Sequence, residues 1–214
     1  MGHRTIFKSI CFRFMKFIAI ILSSLLVIFF LFQSFVKRNT SNIEDQPYRV
    51  IQKSGDLEIR YYPPATMATV KTDARNYREL SSSGFRRVAG YIFGNNEEGT
   101  KIAMTSPVHM DIRETGSSMS FVMPSGYDSS NLPKPTDSGI EISRSNAEYA
   151  AALSFSGYAS DKTISEHAAK LESLLAQKSI KPLGNYRFLG YDPPYQLIGR
   201  RNEVIVAIEW KETD

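Results

Sequence analysis

The sequence predicts an α+β domain, built from a strand–strand–helix–strand–strand unit that occurs twice and preceded by one transmembrane helix. Three observations carry this. An uncharged apolar run near the N-terminus is long enough to cross a bilayer. Beyond it, short alternating runs bounded by Gly, Pro, Asn and Asp read as strands, while two longer segments carry apolar residues at helical spacing. The two halves also repeat weakly: Glu58-Ile59 and Glu141-Ile142 lie 83 residues apart, and Thr105-Ser106-Pro107-Val108 and Tyr191-Asp192-Pro193-Pro194 lie 86 apart. Two such units join their sheets around a shared core, each helix covering one sheet region. A cleft at the pseudo-twofold is the natural ligand site.

The chain of 214 residues, 42% hydrophobic and 22% charged, leaves room for one ordinary domain and an appendage. Its single cysteine, Cys11, excludes an intramolecular disulfide and a cysteine-based zinc site. The pI near 9.1 points to nucleic acid or membrane. However, six of the 26 basic residues fall in 1–38, which has no acid, so 39–214 carries 20 basic against 22 acidic side chains. A slightly acidic domain argues against nucleic acid as a partner.

Residues 1–16 form a basic tail and 17–36 the span. From Phe17 to Val36 no residue is charged, a length of about 30 Å as a helix. A cleavable signal peptide is the rival reading, but the run ends Phe32-Gln33-Ser34-Phe35-Val36, without small residues at a cleavage site. Four Lys/Arg precede the span and two follow, so the expectation is a signal anchor with a cytoplasmic N-terminus and a periplasmic or lumenal domain. Asn39-Thr40-Ser41 is a glycosylation sequon, meaningful only in a eukaryotic secretory pathway. Residues 37–46 read as a tether, and 47–211 as the folded domain.

Strands are expected at Tyr48–Ile51, Leu57–Tyr62 and Thr66–Lys71, separated by Ser54-Gly55-Asp56 and Pro63-Pro64. Asp73 is the candidate cap of a first helix bearing Tyr77, Leu80, Gly84, Phe85, Val88 and Ile92 on one face, with Arg86 and Arg87 opposite and Gly94 as the stop. Strands follow at Lys101–Thr105, Val108–Ile112 and Met119–Met123, then a loop from Pro124 to Gly139. Ile140–Ser143 and Tyr149–Ser154 precede a second helix opened by a Thr163/Glu166 capping box and faced by Ile164, Ala168, Leu171, Leu174 and Leu175. Tyr186–Tyr191, Tyr195–Ile198 and Val204–Trp210 complete the strands. In the last, Val204, Val206, Ile208 and Trp210 form the buried face.

A series of short motifs runs in order through residues 47 to 210. It opens with Tyr48-Arg49-Val50-Ile51 and Leu57-Glu58-Ile59-Arg60-Tyr61-Tyr62-Pro63, then Lys101-Ile102-Ala103-Met104-Thr105-Ser106-Pro107-Val108 and Phe121-Val122-Met123-Pro124. Leu132-Pro133-Lys134-Pro135, Gly190-Tyr191-Asp192-Pro193-Pro194 and Arg201-Asn202-Glu203-Val204 follow. On these motifs the segment resembles the SOUL heme-binding proteins. The resemblance implies a distorted β-barrel with two helices, and non-covalent heme or porphyrin binding in an apolar groove beside the first helix, without an obligatory iron ligand. At roughly 0.3 kcal/mol per heavy atom, a ligand of about 43 heavy atoms reaches about 13 kcal/mol, nanomolar affinity without coordination.

Phe85, Val88 and Ile92 match the helix segment that lines the family's groove; each serves equally well as plain core. Arg86 and Arg87 are within reach of propionates, bidentate pairing being the guanidinium's geometry, or lie on a solvated face. The arginine that the family often carries earlier on this helix falls near Ser82, a departure that weakens the propionate contact. Met104 and Tyr191 occupy similar places in the two halves and read as structural or pocket-lining. His109, on a strand beside Met110, and His167, bordering the apolar stripe of the second helix, are the iron-ligand candidates against ordinary structural roles. No G-x-S-x-G, H-E-x-x-H, phosphate loop or C-x-x-C appears. The expectation is a heme binder acting in buffering or transfer, bound to the bilayer through 17–36 and not an enzyme, with a non-heme binder of drug-like or amphiphilic molecules as the alternative.

Overall fold

The computed structural model describes residues 2–40 and 43–211, with side chains over 14–38 and 43–211. The side chain of Cys11 and the sequon at Asn39-Thr40-Ser41 therefore lie outside the described side chains. Helix α1, Gly2–Thr40, joins the basic tail and the apolar run in one element. Its segment Phe14–Arg38 is long and apolar enough to cross a membrane, with a mean hydropathy of 2.6.

The domain is α+β. Its strands are β1 (Glu44–Asp45), β2 (Arg49–Ser54), β3 (Leu57–Tyr62), β4 (Thr66–Thr72), β5 (Thr105–Ser106), β6 (Val108–Asp111), β7 (Ser117–Val122), β8 (Ile140–Arg144), β9 (Glu148–Phe155), β10 (Pro182–Gly190) and β11 (Asn202–Ile208); the helices are α2 (Tyr77–Ile92) and α3 (Asp161–Gln177). Nine strands make one antiparallel sheet in the order β2-β3-β9-β11-β10-β6-β7-β4-β8. Its end strands β2 and β8 do not pair, so the sheet stays open. Around the β10–β6 seam the order is pseudo-twofold: β3-β9-β11-β10 mirrors β8-β4-β7-β6. Each half thus lends its first strand to the other, β3 pairing β9 and β8 pairing β4.

Both helices cover the same sheet face, α2 over β4 and β7, α3 over β9, β10 and β11. Strand alternation sends Leu57, Ile59, Val70, Met119, Phe121, Leu153, Val204 and Val206 toward them, where they meet Leu80, Val88, Leu171 and Leu175. Gly84 lets α2 approach the sheet, because a Cβ there would lie 3.2 Å from the Met119 side chain. Asn76, not Asp73, caps α2: its side chain accepts from Glu79 N at 2.9 Å. Ser160 caps α3, and Thr163 is the third residue of that capping box rather than its start. Asp161 Oδ1 accepts from Tyr77 N at 2.6 Å, tying the two helix N-termini together.

Two expected strands are absent. Residues 101–104 and 195–198 are loop; of the expected Lys101–Thr105 only Thr105 pairs, with Ser106 in β5 against Glu44–Asp45. Residues 44–46 are accordingly docked on the domain, Gln46 being buried.

Candidate functional site

The expected cleft at the pseudo-twofold is filled. Tyr77 meets Phe188 edge-on at 5.3 Å, Phe155 lies 6.2 Å from Phe188, and the His167 ring stacks on Phe155 at 4.1 Å and 17°. His167 Nδ1 is 2.7 Å from the Thr163 carbonyl, so this nitrogen carries the proton and donates. The histidine is a packing residue of α3 with one ring face occupied.

An open groove of about 930 Å³ lies instead beside α2, within the usual range of roughly 300–1,000 Å³ for small-molecule sites. It runs from Glu79, Ser82, Ser83 and Arg87 on the helix over the Thr72/Ser117 end of the β4–β7 pair, with Lys71 and Arg113 at its walls. The small Ser82 and Ser83 open the space; their hydroxyls turn back to the Glu79 carbonyl at 3.0 and 2.7 Å. The tight turn between β6 and β7 keeps the far wall low. Gly116 allows it with φ +121°, and a Cβ there would meet the Thr72 carbonyl.

The groove is polar rather than the apolar slot that the resemblance implies: three cations and two carboxylates, Asp73 and Glu79, line it, with Ala74 its one wholly apolar side chain. Arg87 donates to both carboxylate oxygens of Asp137 at 2.7 Å; this bond raises the guanidinium pKa and lowers that of Asp137. Arg113 pairs with Asp111, which raises it likewise. The Glu79 carboxylate accepts from Arg75 N and Asn76 Nδ2, which hold its pKa down. Lys71 is the most available cation: its contact with Glu141, at 3.2 Å, joins two largely exposed groups and costs little to exchange.

The residues singled out from sequence do not meet at this groove. Val88 and Ile92 are buried in the core beneath α2, and Phe85 packs on Phe121 at 5.6 Å away from the groove walls. Arg86 is exposed on the outer face, while its neighbour Arg87 lines the groove. Met104 packs on the helix-side core, whereas Tyr191 is buried on the opposite sheet face beside Leu189 and Ile205, so the two are not equivalent.

His109 also faces that side. It is buried, with Nε2 2.7 Å from Gln46 Oε1, which makes this nitrogen the donor. Burial, then the Arg187 charge, depresses its pKa to about 3. Its Nε2 is committed to Gln46, and among the described residues no group of three or more His, Cys, Asp or Glu side chains is placed to hold a metal.

The same face carries a network that sequence reasoning missed. Arg60 donates two bonds to Glu203, at 2.6 and 2.9 Å, and others to Glu58 and Tyr62. Glu203, on the face opposite Val204 and Val206, is fully buried and also accepts from Tyr191, Ser154 and Arg201. Burial alone would raise its carboxyl, but Arg60 and Arg201 hold it at about 2. Burial pushes Tyr62 up to about 12, and burial followed by the Glu203 charge raises Tyr191 further.

Comparison with known proteins matches the SOUL heme-binding protein family model over residues 43–207. Heme-binding protein 1 of Xenopus laevis is 31% identical over 155 residues, 69% of this chain and 81% of that protein. Heme-binding protein 2 of Mus musculus is 30% identical over 168 residues, 74% of this chain and 80% of that protein. Among solved structures, the EcmrR C-terminal domain has a TM-score of 0.51 at 11% identity, covering 76% of this chain and 98% of that one. A hydrolase from Listeria innocua also gives 0.51, at 8% identity over 74% and 94%. These two likenesses show the fold alone.

Proposed function

The chain belongs to the SOUL heme-binding protein family, and on that footing we propose that it is a membrane-anchored binder of heme or a related porphyrin, acting in heme buffering or transfer and not as an enzyme. The observation that carries the reading is the open groove beside α2 with cations on its walls.

The residues fit the carboxylate end of a tetrapyrrole. Lys71 exchanges Glu141 for a propionate at little cost, and Arg113 offers guanidinium N–H groups for a second. Ser82, Ser83 and Ser117 bring the backbone low enough for a flat macrocycle to approach α2. Bound heme would supply a redox-active iron; neither described histidine lines the groove, His109 being buried against Gln46 and His167 stacked on Phe155. Binding therefore rests on the carboxylates and on macrocycle contact. The charge asymmetry about the apolar run supports a cytoplasmic N-terminus and a periplasmic or lumenal domain.

The test compares hemin, iron-free protoporphyrin and its dimethyl ester, titrated into the full chain in neutral detergent. Hemin and protoporphyrin are expected to saturate alike at one equivalent, with the ester at least about tenfold weaker, a difference of about 1.4 kcal/mol. Lys71→Ala should narrow the gap between acid and ester. Non-saturating binding of all three would overturn the reading and favour the non-heme alternative; equal affinity of acid and ester would move the ligand away from these cations.

A further inference from the structure

The loop between β10 and β11, residues 191–201, is built inside out. Its polar residues Gln196 and Arg200 are 2% and 8% exposed, whereas Tyr195, Leu197 and Ile198 are 59%, 45% and 49% exposed. The inversion is held in place rather than loose. Arg200 donates to the Pro193 and Gln196 carbonyls at 2.6 and 2.8 Å and to that of Asp192 at 3.2 Å, and its guanidinium lies over the Tyr158 ring. Arg201 N donates to Asp192 Oδ2 at 2.5 Å, closing the base of the loop. A water-facing loop has no physical reason to spend its buried volume on an arginine and a glutamine while presenting three large apolar side chains.

The end of α1 supplies the reason. Within the run Phe17–Val36, Ser23, Ser24 and Ser34 bond back to carbonyls of their own helix. Gln33 does not. It is buried, its Oε1 accepts from Leu197 N at 2.9 Å, and its Nε2 donates to the Tyr195 carbonyl at 3.4 Å. An amide left unpaired in hydrocarbon costs several kcal/mol, so this contact lets the span carry a glutamine. Gln33 stands four residues before Lys37, about 6 Å along the axis and one turn inside the basic pair Lys37-Arg38. The loop backbone bonded to it therefore reaches the level where the apolar run meets the headgroups, the depth that tyrosine favours.

We propose that the 191–201 loop is a second membrane contact, clamped to α1 by Gln33, with Tyr195, Leu197 and Ile198 seated in the headgroup–acyl boundary of the bilayer that α1 crosses. This rests on the membrane-anchor reading above. It also orients the domain. The loop leaves β10 at Gly190, which pairs with Val108 at the start of β6, while the groove opens past Asp111 at the other end of β6. The groove then faces away from the bilayer, and its ligand enters from the aqueous side.

The test uses the full chain with Cys11→Ser, carrying Leu197→Cys or Ile198→Cys labelled with an environment-sensitive fluorophore and reconstituted in phosphatidylcholine vesicles. Leu183→Cys is the comparator: Leu183 is 45% exposed, as Leu197 is, but sits at the far end of β10, about 25 Å along the strand. Blue-shifted emission at 197 and 198, quenched by lipids carrying a headgroup-level nitroxide, with water-like unquenched emission at 183, is the expected result. Water-like emission at both 197 and 198 in a chain that resists alkaline carbonate extraction would overturn the loop contact and leave the anchor standing. Release of the chain by carbonate would overturn both.

Discussion

The two halves of the sheet treat the same place in opposite ways. In the first half, the strand before the helix ends on Thr72, and Ser83 stands seven positions past the Asn76 cap. In the second half the corresponding residues are Phe155 and His167, seven past Ser160, and their stacked rings fill the space that the first half leaves open. The connections differ in the same sense. Residues 112–116 make a short turn, whereas 191–201 fold into a loop that buries Gln196 and Arg200. A duplicated fold thus keeps one groove for a ligand and spends its counterpart on packing, and side-chain volume at two positions decides which is which.

The largest effect is expected where the halves are joined. Glu203 on β11 meets Arg60 on β3, and Glu203→Ala removes the fully buried carboxylate that takes two of that guanidinium's bonds, leaving it the Glu58 carboxylate alone. A loss of about 3–5 kcal/mol in urea unfolding is expected, with much of it recovered in an Arg60→Met/Glu203→Leu pair. A loss below about 1 kcal/mol would mean that the network does not hold the halves together.

Across the β6–β10 seam, His109 stands opposite Leu189, polar against apolar. His109 is depressed from 6.5 to about 3 by burial and then by Arg187. The unfolded chain therefore binds more protons between those values, and stability that is complete above pH 6.5 is lost as the pH falls toward 3. His109→Gln should flatten the dependence between pH 6.5 and 4; an unchanged slope would assign it to other groups.

A smaller effect sharpens the comparison from the filled side. His167→Ser removes the ring stacked on Phe155 and should cost about 1 kcal/mol while leaving porphyrin binding unchanged. Weakened binding would show that the second half contributes to the site after all.

How much of this was legible in the sequence follows from how local each cause is. The strand Leu57–Tyr62 is bounded by Ser54-Gly55-Asp56 and Pro63-Pro64, so both its limits were readable. The paired order of the two halves was readable from the spacing of weakly similar dipeptides. Residues 195–198 look like a strand because they are apolar, but their apolar groups point outward from a loop. The caps were misplaced because which residue turns extended is fixed partly by a contact between helices, Asp161 to Tyr77. The burial of Glu203 is not legible, because alternation marks only the Val204/Val206 face and the partner lies 143 residues away. The lining of the groove was missed for a related reason. Apolar periodicity highlighted Phe85, Val88 and Ile92, which build the core, while the opening comes from what is small, Ser82 and Ser83. The run Ser81-Ser82-Ser83 in a helix bordered by bulky residues was the available signal.

The most direct test transplants the filling pair. Thr72→Phe with Ser83→His places the second half's rings in the first half's groove, and hemin titration of the full chain reads the result. One saturating equivalent is expected for the natural sequence and at least about tenfold weaker binding for the double variant, with helix content unchanged by circular dichroism. Equal affinity in a folded double variant would contradict it and place the porphyrin elsewhere on the domain.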